Sequence, residues 1–152
     1  MQVTSPDGKY IVAASNPIEI WDSETGELIR TLEGHNYHSD NVIYSPNSKY
    51  IAAVSYNIIK IWDSGSGELI RTLKGHTSRI DSANYSPAGR FIVSASDDKT
   101  IKIWDSETGE SINTIYPMAY TKVLGADLRD IKHDDLTEID ILKLQQNGAI
   151  ID

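Results

Sequence analysis

Histidine, serine and aspartate, the residue types of acid-base and nucleophilic catalysis, recur in this chain beside glycine. Two Gly-His pairs stand at Gly34-His35 and Gly75-His76, and two carboxylates are adjacent at Asp97-Asp98. A catalytic histidine needs a nucleophile or a substrate pocket, and the sequence holds no phosphate-binding glycine loop, nucleophile-elbow serine, zinc-protease motif or calcium loop. We therefore predict that the chain is not an enzyme, that it has no cofactor and no catalytic or metal-ligating residue, and that Asp97-Asp98 forms a turn.

Two acidic segments, residues 22–27 and 105–110, carry enough carboxylates to suggest a cation site. Each directly follows a tryptophan, and the two segments are near-copies, Asp-Ser-Glu-Thr-Gly-Glu in both cases. A segment that returns at the same place in a repeat is typical of a structural turn. We predict solvated hairpin turns here, with a metal site as the less favoured alternative.

The elements that must position these residues form a tandem repeat. Trp-Asp occurs at Trp21-Asp22, Trp62-Asp63 and Trp104-Asp105, at intervals of 41 and 42 residues. The three repeat units that contain this dipeptide read SPDGKYIVAASNPIEIWDSETGELIRTLEGH, SPNSKYIAAVSYNIIKIWDSGSGELIRTLKGH and SPAGRFIVSASDDKTIKIWDSETGESINTIYPM. A period of about forty residues, with short β-branched runs between Gly, Pro, Asn, Asp and Ser, predicts four-stranded sheets stacked radially.

These motifs resemble the WD-repeat β-propeller family, in which Gly-His precedes the first strand, Ser-Pro-Asp-Gly follows it, and Ser-x-Ser-Asp-Asp-x-Thr precedes the Trp-Asp strand. The resemblance covers roughly residues 1–115. It implies an all-β fold with three four-stranded blades, and a non-catalytic scaffold or sensor module for protein-protein interaction. The predicted blades span about 1–33, 34–74 and 75–115, and the strands of the third are 80–85, 91–96, 101–104 and about 110–115.

The family resemblance also implies a buried hydrogen-bond relay from the tryptophan indole through serine and histidine to aspartate. The third unit has all four members: Trp104, Ser94, His76 and Asp98. The second keeps His35 and Trp62 only, because Ala53 replaces the serine and the turn at 55–57 lacks the aspartate. Unit one also lacks the histidine. We predict that these histidines are structural and that the third blade resists local opening best.

Three blades are too few for a closed ring, which uses about four to eight. Each blade is apolar on both faces, so an uncovered face exposes side chains that stabilise the fold only when buried. We predict completion by oligomerisation, with a homodimer of two three-bladed chains favoured. The alternatives are a larger chain that supplies further blades, or a chain that is itself a fragment of a longer array. Self-assembly is thus the second functional hypothesis.

A partner-binding surface is predicted where the loops between blades join the turns between second and third strands. The family resemblance places exposed, variable residues there, and tyrosine and arginine are typical interface anchors. The candidates are Tyr37, His38, Asp40, Tyr56, Arg79 and Asp81.

The composition narrows the class of partner. The chain has 152 residues, with 14 Lys and Arg against 22 Asp and Glu, for a net charge of −8. Nucleic-acid affinity depends mainly on basic side chains that neutralise phosphates, so we expect a protein partner and no nucleic acid. The chain has no cysteine, no secretory start and no apolar run of membrane-spanning length. We predict a cytoplasmic protein without a membrane partner.

The segment 116–152 does not continue the repeat. Its first part, 119–124, has an extended pattern. Asp135 with Glu138 fits a capping box, Leu136, Ile139 and Leu142 fit one helical face, and Asn147-Gly148 fits a C-terminal cap. The segment is also similar to closing segments of bacterial, especially cyanobacterial, repeat proteins. We predict an amphipathic helix that covers an open blade face, with a partner-binding element as the alternative.

Overall fold

The computed structural model describes residues 2–35 and 41–117, and these fold into three antiparallel sheets of four strands each, with no helix in the described part. Blade 1 comprises β1 Gln2–Thr4, β2 Tyr10–Ala13, β3 Ile18–Asp22 and β4 Leu28–Leu32. Blade 2 comprises β5 Val42–Tyr44, β6 Tyr50–Ser55, β7 Ile58–Asp63 and β8 Leu69–Lys74. Blade 3 comprises β9 Ile80–Tyr85, β10 Phe91–Ser96, β11 Ile101–Asp105 and β12 Ser111–Ile115. The predicted all-β fold of three four-stranded blades is confirmed.

Each sheet is a simple meander in which every strand pairs with the next strand along the chain. The register is the same in all three blades, because each tryptophan lies opposite an isoleucine of the second strand: Ile11 and Trp21, Ile51 and Trp62, and Ile92 and Trp104. This register places Ala13 and Ala53 at the position that Ser94 holds in blade 3. The sequence alignment on Trp-Asp therefore matches the three-dimensional equivalence of the strands.

The first two strands of each blade are joined by a serine-initiated turn. In blade 3, the Ser86 carbonyl accepts the Gly89 N–H at 2.8 Å, and the Ser86 hydroxyl accepts the Phe91 N–H at 3.0 Å. Gly89 has a φ of 75°, which glycine adopts without a steric penalty. Ser48 takes the equivalent place in blade 2 with a φ of 60°. The turn geometry is thus retained even where the glycine is lost.

The chain divides into two compact units between Lys74 and Gly75, so that blades 1 and 2 form the first unit and blade 3 belongs to the second. In the first unit the blades share an apolar core. Blade 1 contributes Val12, Ala14, Ile18, Ile20 and Leu32, and blade 2 contributes Val42, Tyr44, Ile51, Ala53 and Trp62. In blade 3 the side chains of Ile101, Ile103 and Trp104 are all buried.

The tryptophans differ in burial. Trp62 and Trp104 are 0% and 1% exposed, whereas Trp21 is only partly buried. Blade 1 therefore presents a partly open face on the side of its tryptophan. The helix predicted for the tail lies outside the described residues, which end at 117.

Candidate functional site

Four polar side chains of blade 3 form a continuous hydrogen-bonded chain. The Trp104 indole N–H donates to the Ser94 hydroxyl at 2.8 Å, Ser94 Oγ lies 2.8 Å from His76 Nε2, and His76 Nδ1 lies 2.7 Å from Asp98 Oδ2. The side chains of Ser94 and His76 are buried, at 0% and 3% exposure. The sequence predicted this set of four residues, and the structure brings them into contact.

The strands and turns of blade 3 position the members of this relay. Ser94 on β10 and Trp104 on β11 are two register positions apart and share a face of the sheet. Asp98 lies in the turn between β10 and β11, where Lys99 has a left-handed φ of 65°. His76 lies in the segment that enters β9.

The Asp98 carboxylate is fully occupied by donors from its own blade. Its Oδ1 accepts the Thr100 N–H at 2.9 Å and the Thr100 hydroxyl at 2.6 Å. Its Oδ2 accepts the Thr77 N–H at 3.0 Å in addition to His76. Burial raises the pKa of Asp98, but the hydrogen bonds from Thr100, His76 and Thr77 outweigh it and lower that pKa to about 2.

The pKa shifts define the protonation state of the relay. Burial lowers the pKa of His76 below its usual value, although its hydrogen bond to Asp98 opposes that shift. The contact between His76 and Asp98 is therefore a hydrogen bond from a neutral imidazole, not an ion pair, at neutral pH. With the proton assigned to Nδ1, Nε2 accepts from the Ser94 hydroxyl, and the Ser94 oxygen accepts from the indole.

Serine, histidine and aspartate are also the members of a hydrolytic triad, but the surroundings here do not fit nucleophilic catalysis. The Ser94 oxygen is inaccessible, and it already accepts a hydrogen bond from Trp104. A nucleophile has to reach a substrate carbon. These contacts support the prediction that the relay is structural.

The indoles of the other two blades use different acceptors. With Ala53 in place of the serine, the Trp62 N–H donates to the backbone carbonyl of Glu33 at 2.9 Å. His35 remains buried, and its ring lies edge-on to Trp62 with 6.1 Å between the centroids. In blade 1, the Trp21 N–H donates to the Glu19 carboxylate at 3.2 Å. Sequence reasoning missed both acceptors.

The acidic segments after each tryptophan are turns held by their first aspartate. Asp105 Oδ1 accepts the N–H groups of Glu107 and Thr108, both at 2.9 Å, and Asp22 and Asp63 do the same in their blades. These backbone hydrogen bonds lower the pKa of Asp105. Within the described ranges, no group of three or more His, Asp or Glu is placed to hold a metal ion.

The predicted partner-binding residues are only partly described. Tyr56 is 55% exposed at the tip of the two-residue turn between β6 and β7, with a left-handed φ of 56°. Arg79 is exposed just before β9, and Asp81 within β9 is partly buried. Tyr37, His38 and Asp40 lie outside the described residues. Tyr56 belongs to the first unit, and Arg79 and Asp81 belong to the second.

The second unit also contains a cavity of about 230 Å³ that sequence reasoning did not find. It is lined by Gly75, Thr77, Asp98, Thr100, Lys102 and Tyr116. A partial signal is present in the sequence, because Tyr116 stands where the first two repeats have Glu33 and Lys74.

Comparison with known proteins agrees with this architecture. The family model described as "WD domain, G-beta repeat" matches residues 26–63 and 67–105. The solved chains "Structure of U3-55K" and "Crystal structure of RRP9 WD40 repeats" superpose with TM-scores of 0.70 and 0.69, each at 23% identity over 76% of this chain. This chain covers 38% and 37% of those chains, respectively, and the likeness shows the fold.

A curated relative is the "Chromatin assembly factor 1 subunit FAS2 homolog" of Oryza sativa subsp. japonica, 38% identical over 53 residues. The match covers 34% of this chain and 10% of that protein, which is eukaryotic, so the bacterial resemblance of the tail stays a prediction. No described segment is a helix long and apolar enough to cross a membrane. Two matched repeats, three blades of common register and the propeller neighbours together show that the chain belongs to the WD-repeat family.

Proposed function

We propose that this chain is a non-catalytic interaction module that holds a protein partner on exposed loops and turns of its blades. WD-repeat propellers generally serve as scaffolds for protein-protein interaction. The observation that carries the proposal is Tyr56, which is exposed at the tip of a tight turn in a backbone conformation that costs a bulky residue energy.

The physical argument concerns what such a turn presents to a partner. Left-handed backbone is easiest for glycine, asparagine and aspartate, yet this two-residue turn carries tyrosine at that place. An exposed tyrosine supplies apolar area and a hydroxyl with few rotatable bonds, which suits an interface anchor. Within the second unit, Arg79 is exposed at the entry to β9 and offers a separate candidate anchor.

The experiment is affinity capture from the native source followed by mass spectrometry, with wild-type protein and the variants Tyr56→Ala and Arg79→Ala. We expect specific partners to be reduced by either variant while the protein remains folded by circular dichroism. Arg90→Ala is the matched control, because Arg90 is an exposed arginine in the turn between β9 and β10. Equal capture by all four proteins contradicts the proposed surface.

We also propose self-association as a second function, supported by Trp21. Its side chain is only partly buried, whereas its counterparts in blades 2 and 3 are buried, so the tryptophan face of blade 1 can accept a further blade. A second copy or a larger chain could supply that blade. Sedimentation equilibrium tests the homodimer: a mass of twice 16.9 kDa supports it, and a single-chain mass at every concentration contradicts it.

The acidic composition and the absence of cysteine support a cytoplasmic protein-binding role. Subcellular fractionation of the native source tests the compartment. Recovery in the secreted or membrane fraction contradicts it.

A further inference from the structure

The cavity of the second unit combines one ammonium, two threonines, a carboxylate and an aromatic side chain. Lys102 projects from β11, Thr77 and Thr100 flank the Asp98 carboxylate, and Tyr116 follows β12 at 71% exposure. Its volume of about 230 Å³ exceeds the roughly 150 Å³ of an engineered protein cavity that binds benzene. The space is thus sufficient for one side chain of a bound peptide.

The hydrogen-bonding capacity of the lining decides which ligand fits. Asp98 accepts four hydrogen bonds from its own blade, so its oxygens are already engaged. An ammonium has three protons, and within the described residues Lys102 donates one hydrogen bond, to the Thr114 hydroxyl at 2.8 Å. The lining therefore has donors to offer, and a ligand must bring acceptors.

Blade 2 shows why the cavity depends on the direction of this lysine. Lys60 is the register equivalent of Lys102, since they pair with Thr72 and Thr114, respectively. Lys60 donates to the backbone carbonyl of Gly34, in the segment that leads from β4 into blade 2. Lys102 instead bonds across to Thr114 on the neighbouring strand. Lys102 thus lines the cavity, and its ammonium bonds to β12 rather than to the segment that leads into β9.

We propose that this cavity binds the side-chain carboxylate of an extended peptide in the protein partner, held by the Lys102 ammonium with the Tyr116 ring against its methylene groups. The proposal rests on the interaction function proposed above. A hydrogen bond from an ammonium to a carboxylate is stronger than one between neutral groups. The hydroxyls of Thr77 and Tyr116 lie at the same cavity as additional donors.

The charge of the chain limits the rest of the partner peptide. The net charge of −8 opposes a run of acidic residues, and Asp98 stays ionised at neutral pH at the cavity wall. We therefore expect a single glutamate or aspartate among neutral or basic neighbours. A polyacidic partner does not fit this surface.

The test is a titration of the full chain, uniformly ¹⁵N-labelled, with the capped peptide acetyl-Gly-Gly-Glu-Gly-Gly-amide. We expect amide shifts concentrated at Gly75, Thr77, Thr100 and Tyr116. The same peptide with glutamine in place of glutamate is the ligand control, and we expect it to bind roughly tenfold more weakly because it lacks the charge.

Variants identify the groups responsible. Lys102→Met retains the apolar stem and should abolish the shifts, whereas Lys102→Arg should retain them. Lys49→Met is the matched control, since it removes the same charge from an exposed turn of blade 2. Tyr116→Ala should weaken binding and Tyr116→Phe should largely preserve it, and neither should affect folding because the side chain is exposed.

Three results overturn the proposal: equal binding of the glutamate and glutamine peptides, unchanged binding by Lys102→Met, or tighter binding of inorganic phosphate than of the peptide at this cavity. The proposed function can still hold in that event, because capture of partners through Tyr56 and Arg79 is measured separately. Equal capture of partners by the wild-type chain, Tyr56→Ala and Arg79→Ala, together with retained peptide binding, contradicts the proposed surface alone.

Discussion

Replacing Ser94 with alanine tests whether the relay of blade 3 stabilises the fold. The Ser94 hydroxyl lies between the Trp104 N–H and His76 Nε2, and it is completely buried. Its removal leaves one donor and one acceptor without this partner. A buried polar group left unpaired costs about 1 to 3 kcal/mol, so for the two groups we expect a loss of about 2 to 6 kcal/mol in the free energy of unfolding.

The matched control is Ser82→Ala on the adjacent strand β9. The Ser82 oxygen is buried and has no hydrogen-bond partner in the described part of the chain. Removing it eliminates no hydrogen bond and takes away a buried unpaired oxygen, so the free energy of unfolding should stay unchanged or rise. The two variants delete the same atom from the same blade, and they differ in whether that atom connects two buried groups.

The measurement is urea unfolding followed by tryptophan fluorescence and, independently, by far-ultraviolet circular dichroism. Agreement of the two curves establishes that a single transition is being compared. The reasoning is refuted if the two serine variants lose equal stability, or if Ser94→Ala unfolds at the wild-type urea concentration. In blade 2, the Trp62 indole N–H donates to a backbone carbonyl instead of a serine. If the Trp104 indole finds a similar acceptor in Ser94→Ala, the loss of stability falls at the lower end of the expected range.

Two further predictions concern acid and local opening. The pKa of His76 is lowered from 6.5 in the folded chain, so the unfolded chain takes up the proton first, and the free energy of unfolding should fall as pH decreases below about 6.5. The His76→Gln variant should lack this pH-dependent loss of stability when it is compared with the wild-type chain between pH 5 and 8. Parallel stability curves for the two proteins contradict the prediction. Hydrogen exchange should be slower at the β11 amides around Trp104 than at the β3 amides around Trp21, because only the β11 amides adjoin the buried relay. Equal protection of the two strands contradicts the prediction that blade 3 resists local opening best.

The strands were predictable from local signals. In blade 3 the predicted strands 80–85 and 91–96 match β9 and β10, and the remaining two agree to within one residue. β-branched runs between turn-forming residues fix such boundaries because the backbone has few other options there. The four members of the relay were predicted through the family resemblance, and the register places Ser94 and Trp104 two positions apart on one face of the sheet.

The hydrogen-bond partners of Trp21 and Trp62 could not be predicted in the same way. Glu33 contributes a backbone carbonyl, which leaves no mark on the residue type, and Glu19 lies two residues before its tryptophan in an ordinary strand pattern. The cavity depends on the direction of one long side chain, because Lys60 and Lys102 share a register and bond to different groups. A lysine side chain has four rotatable bonds, and sequence spacing does not determine which acceptor its ammonium reaches.

The relay and the cavity are connected through Asp98, and this links stability to binding. The carboxylate that ends the relay also accepts the backbone N–H groups of Thr77 and Thr100, which line the cavity. Losing Ser94 removes the hydrogen-bond partner of His76 Nε2, and His76 in turn helps to fix Asp98.

Ordering a loose wall on binding reduces affinity even when the ligand contacts are intact. Ser94→Ala should therefore weaken binding of the glutamate peptide several-fold, although Ser94 does not line the cavity. Ser82→Ala should leave that binding unchanged. If both variants bind the peptide as the wild-type chain does, the walls of the cavity are held without the relay, and stability and recognition in this blade are independent.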